Sequence, residues 1–242
     1  MLAVRGNYDA AFDLCLAATS AFGWYNRSTG FNPFTREGKK TCAYEIWEDL
    51  GRAVPDRVVV PTGDGNIISG IWKGWRDLQA AGLIDRLPKV DCAQSAESAA
   101  ICRTVQRLRS GGQAVEDWSR VEVDEVQAST AADSICVDRP RDGLAGVRAV
   151  LESGGEAVTV KEEEIATAAF EMARLAGVFP EPAAAVPWAG VKRMADAGSI
   201  DARETVVCLV TGSGLKDTAG ASGAAPEPLV VEADLEAVER AV

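Results

Sequence analysis

Two glycine turns carry the residues whose type and spacing suit a charged ligand: Gly63-Asp64-Gly65-Asn66 and Thr211-Gly212-Ser213-Gly214. The first ends the β-branched run Val58-Val59-Val60 and opens a proline-free amphipathic stretch that reaches Trp75. That order reads as buried strand, tight turn and helix, and the unpaired N–H groups and dipole of such a helix start favour an anion. Read instead as an ordinary strand-to-helix connection, the same residues carry no function. Neither the dinucleotide fingerprint GxGxxG nor a Walker A loop fits, because no GK[ST] follows. The second turn ends the apolar run 205–210. If both runs are strands of one parallel sheet, the two turns share the crevice beyond the strands' carboxyl ends, where such sheets bind ligands.

One absence narrows the catalytic options: the chain has no histidine. Ser-His-Asp and Cys-His nucleophile systems, HExxH zinc sites and imidazole acid–base work are thereby removed. Carboxylates, hydroxyls, thiols, a cofactor or the seven lysines (39, 40, 73, 89, 161, 192 and 216) remain. The six cysteines are scattered without a CxxC pair, which reads as small buried apolar residues rather than a disulfide framework or a metal site. A formal charge of −11 lacks the basic footprint of a nucleic-acid binder. There is no apolar run of ~18 residues, and no basic segment leading into an apolar one at the N-terminus. Neither a membrane span nor a secretory leader is therefore expected, and the cytoplasm is the default location.

At 242 residues, 47% of them hydrophobic, the chain can bury a core of one or two domains. Strand candidates are residues 1–5, 24–25, 89–94, 133–137, 156–160 and 205–210, beside the opening run at 58. Apolar residues recur with helical spacing over 8–22, 37–50, 98–108, 142–153, 162–176 and 182–197. The clearest helix is 162–176, whose three leading glutamates complement the dipole and whose end is followed by Gly177. Residues 28–35 and 110–130 read as connections. Residues 218–228 read as a mobile Ala/Gly/Pro-rich tail before a short strand and helix within 229–240. Alternating strands and helices predict an α/β fold with a mostly parallel sheet flanked by helices.

Six segments together resemble the threonine synthase family, in that family's order. They are RGNYDAAF (5–12), NPFTREGKKT (32–41), VVVPTGDGNIISGIWKGW (58–75), ADSICVDRPRDG (132–143), GVFPEPAAAVPWAG (177–190) and VVCLVTGSGLKD (206–217). These enzymes belong to the tryptophan-synthase-β-like, fold type II group. The resemblance implies pyridoxal 5'-phosphate as cofactor and conversion of O-phospho-L-homoserine and water to L-threonine and phosphate. It implies that Gly63, Asp64, Gly65, Asn66 and Ile67 hold the cofactor phosphate with backbone amides, and that Thr211 sets its hydroxyl against the pyridine nitrogen. The family's loop is commonly Asn- or Gly-rich, so Ile67 is a departure. Asp64 is unfavourable beside a dianion unless its carboxylate turns outward.

None of the seven lysines has the S-F-K-D-R context of the family's Schiff-base lysine; Lys39 and Lys40 fall in EG-x-KT and Lys216 in GLKD. The resemblance therefore implies the C-terminal portion of such an enzyme, inactive alone, with no catalytic lysine and no metal. Residues 1–45 would end the smaller domain, 46–217 belong to the large cofactor-binding domain and 218–242 form a tail. Partners would be the small-molecule substrate, a second copy or a complementing N-terminal fragment; neither nucleic acid nor membrane is expected. A fragment of a serine/threonine dehydratase is the rival within the group, against which TGSGLKD and the KGW helix speak. A truncated remnant without catalysis is the alternative from a different class.

Overall fold

The computed structural model describes residues 2–112, 115–218, 220, 229–233 and 235–241. Four strands, β1 (Arg57–Pro61), β2 (Lys89–Ser95), β3 (Ala157–Val160) and β4 (Val206–Cys208), form one sheet in the order β3-β2-β1-β4. Every pairing is parallel, with Val58 opposite Val90 and Val207, and Cys92 opposite Ala157. Strands β1 and β2 are buried on both faces, as continuous apolar runs in a parallel sheet require.

The pleat divides the core. Val58 and Val60 enter one cluster with Ile68, Ile71, Trp75, Ile101 and Val147, whereas Val59 enters another with Ile165, Ala168, Ala185 and Val186. Helices α4 (Asn66–Ala80), α5 (Ala100–Ser110) and α6 (Gly143–Ser153) therefore cover one face, and α7 (Glu162–Ala176) and α8 (Pro182–Asp196) the other. At the strands' amino ends, buried Arg57 joins Asp91 at 3.1 Å and Glu204 at 2.6 Å, tying the approach to β4 onto the sheet.

Three further helices precede the sheet: α1 (Tyr8–Phe22), α2 (Pro33–Lys39) and α3 (Thr41–Asp49). Asn7 and Asn32 cap the first two with their side chains, and Gly23 ends α1 at φ 67°. Glycines on α4 let the α2–α3 corner approach its backbone. A Cβ on Gly70 would stand 2.9 Å from the Arg36 carbonyl oxygen, and one on Gly74 2.4 Å from that of Lys40. A short helix, α9 (Leu235–Ala241), lies near the C-terminus.

Several expectations are corrected. Residues 2–5 and 24–25 form no strand, since they pair with none of the strands among the described residues. The expected strand 133–137 is a 3₁₀ turn over Asp133–Ile135. Helix 37–50 is two helices that begin earlier, because Asn32-Pro33 supplies an N-cap and a first-turn proline rather than a loop. Strand 205–210 is confined to Val206–Cys208. Asp142 precedes α6 without capping it, its carboxylate being taken by Asn66. The tail expectation falls largely outside the described residues; the short strand expected in 229–240 is absent among those described. No helix among the described residues is long and apolar enough to cross a membrane.

Candidate functional site

The strand order places a topological switch between β1 and β4: the chain runs outward from β1 through β2 to β3, then returns to β1's other side as β4. A crevice opens beyond the carboxyl ends at such a point. A cavity of about 650 Å³ lies there, and both glycine turns reach it. Gly63, Asp64, Gly65, Asn66 and Ile67 line it from the β1–α4 connection, and Thr211 from the chain leaving β4. The six residues singled out in the sequence thus share one cavity.

The loop is held by its neighbours. Gly65 takes φ 87°, a conformation that suits glycine, and a Cβ there would stand 2.7 Å from the Asp142 carbonyl oxygen. The Asp142 N–H donates to the Asp64 carbonyl. No acceptor among the described residues takes the N–H groups of Gly63, Asp64, Gly65, Asn66 or Ile67. The Asp64 carboxylate is engaged elsewhere: it accepts from the Tyr8 hydroxyl at 2.5 Å and the Arg141 N–H at 3.0 Å. Burial raises its pKa above the usual carboxylate value and, with that hydrogen bond, raises the Tyr8 phenol too, so Tyr8 stays a donor.

The Asn66 side chain is buried between charges. Its Nδ2 donates to Asp142 at 2.5 Å and its Oδ1 accepts from Lys39 Nζ at 2.5 Å. On the opposite wall, Glu181 is buried, pairs with Lys216 at 2.9 Å and donates its N–H to the Gly212 carbonyl. A Cβ on Gly212 would stand 2.1 Å from Glu181 Oε1, so a side chain there would displace the Glu181 carboxylate. The Thr211 hydroxyl has no partner among the described residues.

Sequence reasoning missed Tyr8, Lys39, Lys216, Glu181 and Arg141 as neighbours of this cavity or its loop. Only tertiary packing brings them in; the RGNYD, EGKKT, FPEP and GLKD segments that contain most of them carry no local signal of the cavity.

A family model described as "Pyridoxal-phosphate dependent enzyme" matches residues 1–212. The chain belongs to this family. Threonine synthase of Methanosarcina acetivorans is 36% identical over 242 residues, and that of Methanocaldococcus jannaschii 37%. These alignments take in 100% and 99% of this chain but 57% and 56% of the relatives, so the chain spans a little over half the length of the curated relatives it matches. Among solved structures, Escherichia coli threonine synthase superposes with a TM-score of 0.67 at 20% identity, over 99% of this chain and 53% of that one. Threonine deaminase isoform 2 from Solanum lycopersicum gives 0.67 at 18%, over 86% and 54%. At these identities the structural likeness speaks for the fold alone. That fold is the one expected, an α/β arrangement on a parallel sheet shared with pyridoxal-phosphate enzymes.

Proposed function

We propose that this chain forms the cofactor-phosphate-holding part of a threonine synthase-type enzyme, which converts O-phospho-L-homoserine and water to L-threonine and phosphate. The observation that carries this reading is the set of five acceptor-free N–H groups at residues 63–67, lining a cavity that Thr211 also lines, in a chain of this family. Relatives named threonine synthase at 36–37% identity support this reaction.

The residues present fit the group. A phosphate at the start of α4 meets free amides and the positive end of the dipole. Asp64, a carboxylate within the loop itself, has both of its oxygens tied to Tyr8 and Arg141. Thr211 would meet the ring nitrogen with a hydroxyl, which does not hold that nitrogen protonated as a carboxylate would. Pyridoxal phosphate, when bound, supplies an electron sink for chemistry at the amino-acid carbons. The chain's contribution is to grip the phosphate, orient the ring and enclose the cavity between residues 63–67 and the Glu181–Lys216 wall. On this reading residues 1–45 end a smaller domain and 46–217 belong to the large one. The anchoring lysine comes from sequence that corresponds to the remainder of the relatives' length.

The test is equilibrium dialysis of the 242-residue chain against pyridoxal 5'-phosphate and against pyridoxal, with borohydride treatment of the bound fraction. Preferential, reversible binding of the phosphorylated form without a stoichiometric lysine adduct is expected. Equal binding of the two forms defeats the phosphate cradle. A single trapped lysine defeats the claim that the anchor lies elsewhere.

A further inference from the structure

We propose that Lys39 is the cation of this site: its ammonium group meets the phosphate monoester held at the start of α4 and offsets the Asp64 carboxylate. The inference rests on the cradle described above and adds a residue to it. Lys39 lines the cavity, and its Nζ lies 2.5 Å from the side-chain oxygen of Asn66, a member of the loop. It is half-buried yet has no carboxylate within 4 Å among the described residues. Arg36 has no ion pair among the described residues but lines a separate cavity, and the other neighbouring cations are committed. Lys40 and Lys73 pair with Glu37 and Asp77, Lys216 pairs with Glu181, and Arg141 pairs with Asp9 and Asp13. The remaining lysines without a described ion pair, Lys89 and Lys161, are exposed. Burial holds the Lys39 ammonium below the usual lysine pKa, against the opposing pull of Asp142 and Asp64, as befits a partly desolvated cation without a contacting anion.

Charge accounting at the loop favours such a group. A phosphate monoester brings close to two negative charges and meets a helix end worth roughly half a positive charge. Asp64 and Asp142 already place two carboxylates beside that end. The amides alone leave the site net negative, and Lys39 is the uncommitted positive side chain within it. Its position is fixed by backbone rather than by side-chain choice. A Cβ on Gly70 would stand 2.9 Å from the Lys39 Cβ, so α2 is seated directly on α4 one turn past the loop.

Two phosphate monoesters belong to the proposed reaction, that of the cofactor and that of the O-phosphorylated amino acid, and the experiment separates them. The 242-residue chain and its Lys39→Gln, Lys39→Arg and Lys39→Gln/Asp64→Asn variants are titrated by equilibrium dialysis. The ligands are pyridoxal 5'-phosphate, pyridoxal, and O-phospho-L-homoserine with the cofactor present. Gln retains an amide donor for Asn66, so a purely structural role would survive it. A loss of about 10- to 100-fold in affinity for the phosphorylated ligand, restored by Arg and in part by the added Asp64→Asn change, is expected of a charge-assisted contact. Loss for pyridoxal 5'-phosphate with pyridoxal unchanged assigns Lys39 to the cofactor phosphate. Loss for O-phospho-L-homoserine alone assigns it to the substrate. Wild-type affinities throughout the Lys39→Gln variant overturn the proposal while leaving the cradle standing. A wild-type chain that does not prefer the phosphorylated cofactor removes both.

Discussion

Asp64 is the residue whose electrostatics make the most specific statement. Its pKa is raised chiefly by burial, so the folded protein holds a proton more readily than the unfolded chain between the ordinary carboxylate range and the raised value. In that window the folded state binds more protons, and stability from this group rises as pH falls and is lost as pH rises through the folded pKa. Asp64→Asn removes the ionisation while keeping an oxygen to accept from Tyr8 or Arg141. Relative to wild type, the variant should therefore gain stability at pH 7.5, and the gain should shrink on acidification to pH 4.5. Urea midpoints of the two proteins at both pH values check this; a gain that grows toward acid would contradict the sign. The neighbouring Tyr8 hydroxyl stays protonated across this range, its pKa being raised by burial and by Asp64, so it does not blur the comparison.

At the scale of elements, the contact of α2 and α3 with α4 determines where Lys39 lies, and Gly74 is its tightest point. Replacing a mid-helix glycine by alanine gains up to about 1 kcal/mol of helix propensity. Here the new Cβ would stand 2.4 Å from the Lys40 carbonyl oxygen and 2.8 Å from the Cβ of the fully buried Ala43. Overpacking of this kind costs about 1–3 kcal/mol, so clash outweighs propensity and Gly74→Ala should be net destabilising. A lowered urea midpoint with unchanged slope is expected, and a raised midpoint would show that the helices separate freely. This contact also marks the limit of what the sequence reveals. Helices α1 and α7 match their expected bounds because caps, first-turn charges and a following glycine are local signals. The strand–turn–helix around residues 63–67 was legible for the same reason. The break between α2 and α3 at Lys40 carries no glycine or proline, and the short apolar runs at 2–5 and 133–137 lack the partner that would make them strands. Lys39 was invisible as a site residue because its approach depends on glycines some thirty positions away.

For the whole molecule, the balance between apolar surface and charge is the governing quantity. Phe22, Trp24, Tyr25, Phe31 and Phe34 stand exposed in the segment before the sheet, and β4 offers its outer edge to no strand among those described. Apolar surface on this scale, together with an open parallel edge, favours association. Opposing it is a formal charge of −11 on every copy, which keeps copies apart as long as the charge is felt. The range of that repulsion falls from about 30 Å at 0.01 M salt to about 3 Å at 1 M, whereas salt does not weaken hydrophobic contact in the same way. The 25.5 kDa chain should therefore scatter light near its own mass at low salt and as larger species when salt is raised at constant pH. Tyrosine or serine in place of Phe34 and Trp24 should blunt the rise, because charge is unchanged while apolar area falls. A mass that stays constant from 0.01 M to 1 M salt would mean that these side chains do not drive contact between copies, and that their exposure is tolerated by the monomer.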